Sequence, residues 1–204
     1  MTSPPDTGRT SIAKHVTDVL EPKNWIIATL ALLGWGADRL AGLGWAAFIA
    51  LFTAVLPTLF IQFGIRRWNW SDRHVGVKRE RLVAMSFITL SVAVGVALMI
   101  ALGAPHAMTG YIIGMFASAV VIAMITLAWK ISVHCAVASA GALIVALTFS
   151  PYILGAYGLV ALVAWSRVEL GDHTPGQVIG GTALGAVVAV LTYLAVRGLL
   201  CASW

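Results

Sequence analysis

What this chain has least of is charge. Asp, Glu, Lys and Arg make up only 10% of its 204 residues, against 60% that are apolar, whereas a soluble domain carries about a quarter charged residues. So little charge cannot cover a water-facing surface of this size, and lipid must solvate much of the protein. Cysteine is nearly absent too: Cys135 and Cys201 stand far apart without metal-ligand or redox spacing, and read as small buried apolar residues. No acidic cluster, DxxD pair or Walker loop is present to hold magnesium, and no basic stripe on a soluble face marks a nucleic-acid binder. The opening residues, MTSPPDTGRTSIAKHVTDVL, lack the apolar core of a secretory signal. Residues 1–23 therefore read as a polar tail or an interfacial helix, and residues 24–204 as one transmembrane domain.

What is present is a series of long apolar runs. A membrane span needs about 20 mostly apolar residues, and Gly44–Ile65, Leu82–Gly103, Ala107–Trp129 and Gly176–Leu199 reach that length. His134–Ser150 and Tyr152–Trp165 are shorter and are parted by Pro151, which suits a tight turn between antiparallel helices. Asn24–Gly36 is shorter again and reads either as a tilted crossing or as a re-entrant piece. The fold class is all-α, a polytopic bundle of six, possibly seven, transmembrane spans.

Parity then sorts the polar stretches. Two spans separate the basic loop Arg66–Arg81 from Lys130–His134, and two more separate that stretch from Ser166–His173, so all three share one membrane face. Trp68, Trp70, Trp129 and Trp165 lie at the same boundaries, as an aromatic belt does. The net charge is +5, and six of the thirteen basic residues fall between Arg66 and Arg81. With Lys130 and Arg167 on that face as well, the positive-inside rule makes it cytoplasmic.

The stretches on this face read SDRHVGVKRER, KISVH and SRVELGDHTPGQ. They combine histidines, serines and surplus cations. Cations neutralise non-bridging phosphoryl oxygens, one imidazole can attack phosphorus, and another can protonate the leaving oxygen. The chemistry implied is metal-free phosphoryl transfer. Thr174 and Pro175 suit the N-cap and first turn of the last span, and another helix starts near His134, so two helix N-termini would face a bound phosphate. Small residues on both helices, Ser139 and Gly141 on one and Gly181 and Gly185 on the other, permit the close packing that brings the histidines together.

These stretches resemble the signature of the type 2 phosphatidic acid phosphatase superfamily, K-x6-R-P, then P-S-G-H, then S-R-x5-H-x3-D. Arg81 fits the first motif, Ser132 and His134 the second, and Ser166, Arg167 and His173 the third; the likeness spans roughly residues 70–195. The resemblance implies that His173 is the nucleophile that forms a phosphohistidine and that His134 is the general acid. It implies that Arg81, Arg167 and Ser132 bind phosphoryl oxygens, with His74, Lys78 and Ser166 as further phosphate-binding candidates. The chain departs from the pattern at several places: His74 stands at the lysine position, Leu82 follows Arg81, Ile131 and Val133 replace proline and glycine, and Gln177 replaces the final aspartate. Gln177 can still orient His173 through its carbonyl, but it lacks the charge that would stabilise an imidazolium.

The resulting expectation is an integral protein of the cell membrane that hydrolyses a lipid phosphate or diphosphate without a metal or other cofactor. Polyprenyl phosphates or diphosphates come first as substrates, and phosphatidate-like lipids second. The alternatives are a lipid phosphotransferase using the same intermediate and a non-catalytic lipid-phosphate binder. The partners are the lipid phosphate substrate and membrane lipids, with no nucleic acid; the residues leave the oligomeric state open.

Overall fold

A backbone in hydrocarbon must satisfy its own hydrogen bonds, so apolar runs of this length fold as helices. The computed structural model describes residues 8–70 and 77–202, with side chains as far as residue 198. In chain order the elements are α1 (Gly8–Val19), α2 (Pro22–Ala50), a π-helical segment (Leu51–Val55), α3 (Leu56–Trp68), α4 (Lys78–Ala101) and α5 (His106–Ala128). There follow α6 (Val133–Thr148), a 3-10 segment (Pro151–Ala156), α7 (Tyr157–Glu169) and α8 (Pro175–Ala202). Among the described residues there is no strand. Five stretches are long and apolar enough to cross a membrane: Pro22–Trp68, Lys78–Ala101, His106–Ala128, Pro151–Glu169 and Pro175–Gly198, joined by the shorter apolar Val133–Thr148. Leu90, Ile100, Ile179 and Leu191 are 64%, 60%, 67% and 61% exposed, an outer surface suited to lipid rather than water. The chain is a polytopic helical membrane protein.

The 47 residues of Pro22–Trp68 do not form one rod. The backbone leaves helical geometry at Asp38 (φ −157°, ψ 47°) and Arg39 (φ 42°, ψ −120°). Residues eight apart in a straight helix are separated by about 12 Å, yet a Cβ on Gly34 or on Gly42 would run into the other's carbonyl oxygen. The chain therefore reverses, and α2 is a hairpin of two limbs, residues 22–37 and 40–50. The first limb, which holds Asn24–Gly36, is a helix about 24 Å long that packs antiparallel to the next. The second limb runs on into α3 through the π segment. There the Leu56 amide donates to the Leu51 carbonyl, and Pro57 has no N–H to continue that register. The Ser91 hydroxyl, from α4, donates to the Phe52 carbonyl at 2.7 Å.

At the centre of the bundle lies α6, with Cys135, Ala136, Ala138, Ser139, Gly141 and Ala142 all buried. Packing against α8 is close enough that a Cβ on Gly181 would meet the Ser132 carbonyl and one on Gly185 the Ala136 carbonyl. The Ser139 hydroxyl ties three helices, donating to the Thr182 carbonyl at 2.8 Å and lying 2.9 Å from the Tyr157 hydroxyl. The turn expected at Pro151 is a full 3-10 segment, so α7 starts five residues later than the apolar run suggested. On the outside of α7 lies α1, held by Arg9 to Glu169 at 3.1 Å and by the Thr17 hydroxyl donating to Ser166 Oγ at 3.0 Å.

Candidate active site

The third motif is assembled by the way α7 stops. Gly171 adopts φ +71°, its amide donates to the Val168 carbonyl at 3.0 Å, and the Asp172 amide donates to the Arg167 carbonyl at 3.1 Å. These two bonds are those of a Schellman turn, which glycine favours because a Cβ is strained at positive φ. The turn folds the chain back on itself, so that the His173 amide also donates to the Arg167 carbonyl, at 3.1 Å. The five-residue gap between Arg167 and His173 is one helical turn plus this reversal. Arg167 is 2% exposed, and its guanidinium donates to Asp172 Oδ2 at 2.9 Å, which compensates a charge that could not otherwise be buried.

Immediately afterwards α8 begins with a reciprocal cap. The Gln177 amide donates to Thr174 Oγ1 at 3.4 Å and the Thr174 amide donates to Gln177 Oε1 at 3.1 Å, a capping box with Pro175 in the first turn. The same Oε1 lies 3.2 Å from Nδ1 of His173. An oxygen that accepts the Thr174 amide is an acceptor here too, so Nδ1 carries the proton and Nε2 keeps its lone pair.

The second motif is stitched to the third through the backbone. Ser132 donates its amide to the Gln177 carbonyl at 3.3 Å, and its hydroxyl caps α6 by accepting the Cys135 amide at 3.4 Å. Lys130 reaches across and donates Nζ to the Asp172 carbonyl at 2.7 Å. A cavity of about 370 Å³ opens between these loops, and Arg81, Lys130, His134, Arg167 and His173 all line it. Its lining brings both histidines of the motifs to one space with four cations, Lys23 being the fourth and paired with Glu21. His173 has its pKa lowered from 6.5 to about 4, first by burial and then by Arg167 and Lys130, against the opposing pull of Gln177 and Asp172. It is a neutral imidazole at physiological pH, the form a nucleophile requires.

The other candidates are placed differently. Ser132 and Ser166 are fully buried and do not line the cavity; the Ser166 hydroxyl donates to the Val163 carbonyl at 2.8 Å while accepting from Thr17. Lys78 is exposed at the start of α4 and likewise lies off the cavity wall. His74 falls outside the described residues. Sequence reasoning counted Lys130 among the cations of this face without naming it a site residue and gave Glu21, Lys23 and Trp25 no role, yet all four line the cavity. Trp25 has an indole N–H without a hydrogen-bond partner among the described residues. Only the hairpin, which brings the start of α2 to the same end as α6 and α8, reveals them. Among the described residues no group of three or more His, Cys, Asp or Glu is placed to hold a metal ion.

The family model of the PAP2 superfamily matches residues 129–200, the stretch that holds Lys130, the second and third motifs and nearly all of α8. Over that stretch the chain is similar to the PAP2 superfamily. No curated protein and no solved structure matches it. PAP2 superfamily members are phosphatases, and the similarity supports a phosphoester hydrolase embedded in the membrane. The match stops short of Arg81, which joins the PAP2 motifs through the cavity it shares with them.

Proposed function

We propose that the protein hydrolyses the phosphate or diphosphate of a membrane lipid through a phosphohistidine, without a metal. Nε2 of His173 attacks phosphorus, forming a P–N bond as the bond to the leaving oxygen breaks, and His134 gives that oxygen its proton. Water then attacks phosphorus, His134 takes its proton, and the P–N bond breaks to release phosphate and restore the lone pair of His173. Arg81, Arg167 and Lys130 neutralise the phosphoryl oxygens, where charge builds in both transition states.

The observation that carries this reading is the composition of one cavity: His134 and His173 with Arg81, Lys130, Arg167 and Lys23 at one end, and apolar walls of α2, α4, α5, α6 and α8 beyond them. Such a cavity accepts an anionic head and a hydrocarbon tail together. Polyprenyl phosphates or diphosphates are the first candidates and phosphatidate-like lipids the second. The basic residues at this end support a cytoplasmic face by the positive-inside rule. Phosphate release from a panel of prenyl and glyceryl phosphates in the presence of EDTA tests the reading. Turnover that survives EDTA and is lost in His173→Ala supports it; a panel with no turnover at all, or turnover abolished by EDTA and restored by a divalent ion, refutes it.

A further inference from the structure

The cavity extends far beyond the space a phosphate needs. Along α6 it is lined from His134 to Ile144, ten residues or about 15 Å of helix. Along α4 it runs from Arg81 to Val92, a similar depth. At its inner end Val92, Ile144 and Ala189 are 3%, 7% and 3% exposed and belong to one buried cluster with Met99 and Met108, with Tyr111 and Thr192 lining the cavity beside them.

The α2 hairpin explains how such a space exists inside a bundle. Its limbs touch where Gly34 meets Gly42, beside Ala46. Towards the cationic end they part, because Ile26 and Thr29 on the first limb and Ala54, Pro57 and Thr58 beyond the second all line the same cavity. The π segment and Pro57 sit where the second limb must bend away. The hairpin is a wedge, closed at its vertex and open at the site.

We propose that this wedge holds the hydrocarbon tail of the substrate inside the protein, and that the floor of Val92, Ile144 and Ala189 sets the longest chain that can be fully enclosed. The inference rests on the phosphate seat proposed above, because the head at His134 and His173 fixes where the tail begins. A tail lying outside in the bilayer would meet no floor. The protein would then be indifferent to chain length, whereas an enclosed tail gains contact with each methylene until the cavity is full.

The test is binding of n-alkylphosphonates of increasing length to the protein in lipid nanodiscs; their C–P bond is not hydrolysed, so binding is read independently of turnover. Affinity from water is expected to rise about fourfold per methylene, then to break sharply and stay flat or fall. Ala189→Phe should move the break to shorter chains and Ile144→Ala to longer ones, each checked for a parent-like size-exclusion profile. Opposite shifts in the two variants, or a shift in whichever of them folds, support the enclosed tail. A smooth rise with no break, a break that neither variant moves, or no phosphonate binding at any length overturns it. Failure of the phosphatase reading shows up separately, as absence of phosphate release from short and long esters alike.

Discussion

Nδ1 of His173 lies 3.2 Å from Oε1 of Gln177, and that oxygen also accepts the Thr174 amide at 3.1 Å. One atom therefore completes the cap of α8 and sets the tautomer of the imidazole. Gln177→Leu removes both, and turnover should fall on the order of 10- to 100-fold, the usual effect of losing a histidine's orienting partner, with about 1 kcal/mol of stability lost through the cap. Gln177→Asp should keep or raise activity, because a carboxylate accepts the same bond and steadies the positive charge that develops on the ring. His173→Ala should be inactive. Steady-state kinetics of the three variants decide the matter; a Leu variant as active as the parent would place the orienting group elsewhere.

The lowered pKa of His173, about 4, fixes the acid side of the pH profile. A nucleophile must be neutral, so kcat/KM, which reports the free enzyme, should lose nothing to His173 between pH 7 and about pH 5 and should fall as pH passes through about 4. Gln177→Asp adds a negative charge beside Nδ1, favours the protonated ring and should move that limb upwards. Stability follows the same linkage. The folded pKa lies below the unfolded value of 6.5, so the contribution is complete above pH 6.5 and is lost as pH falls from 6.5 to about 4. Thermal unfolding at a series of pH values should show that loss, and His173→Gln should diminish it.

Arg81 lines the cavity from the first turn of α4, on a different element from the turns that build the third motif. Arg81→Ala should therefore cut kcat about 10²- to 10³-fold, the effect of removing one pre-organised donor to a developing charge, while the unfolding temperature stays close to that of the parent. Arg81→Lys should recover part of the rate by restoring charge without the guanidinium's paired donors. An Arg81→Ala enzyme with unchanged kcat would remove Arg81 from the phosphate site.

The serine of the third motif should behave differently. Ser166 is buried, donates to Val163 and accepts from Thr17 of α1, so its bonds join two helices. Ser166→Ala and Thr17→Val should each cost about 1 kcal/mol, and the double variant should cost less than their sum because both singles break the same bond. KM should not change. A raised KM for Ser166→Ala alone would return this serine to the phosphate site.

What could be read from the sequence follows the range of the interactions. The third motif was legible because it is local: the spacing of Arg167, Gly171, His173 and Gln177 is the geometry of a helix end, a Schellman turn and a capping box. Parity was legible because apolar runs of span length leave few alternatives. The hairpin's close contact was not, since Asp38 and Arg39 reverse the chain without proline or glycine at the turn itself, and nothing in the residue types pairs Gly34 with Gly42. Lys130 was missed for another reason: its partner is a backbone carbonyl, that of Asp172, and such a contact leaves no trace in residue type. Ser132 and Ser166 match the family's letters, but only coordinates show their hydroxyls committed to protein partners.

His134 lies on α6 and His173 in the turn that leads into α8, so the distance between α6 and α8 should govern activity. Gly185 sets that distance: a Cβ there would run into the Ala136 carbonyl and lie 3.0 Å from the Ala140 amide nitrogen. These are backbone atoms of a buried helix and cannot step aside as a flexible side chain can. Alanine in a helix is favoured over glycine by about 1 kcal/mol, but overpacking a close contact costs about 1–3 kcal/mol, so the clash should win. Gly185→Ala is thus expected to lower the unfolding temperature and to reduce kcat as α8, with His173 at its start, moves off α6 and His134. Gly198 on the same helix has open space around it, and Gly198→Ala should leave kcat unchanged while holding or raising the unfolding temperature. Equal behaviour of the two variants in thermal unfolding and phosphate release would mean that the α6–α8 contact does not set the separation of the histidines.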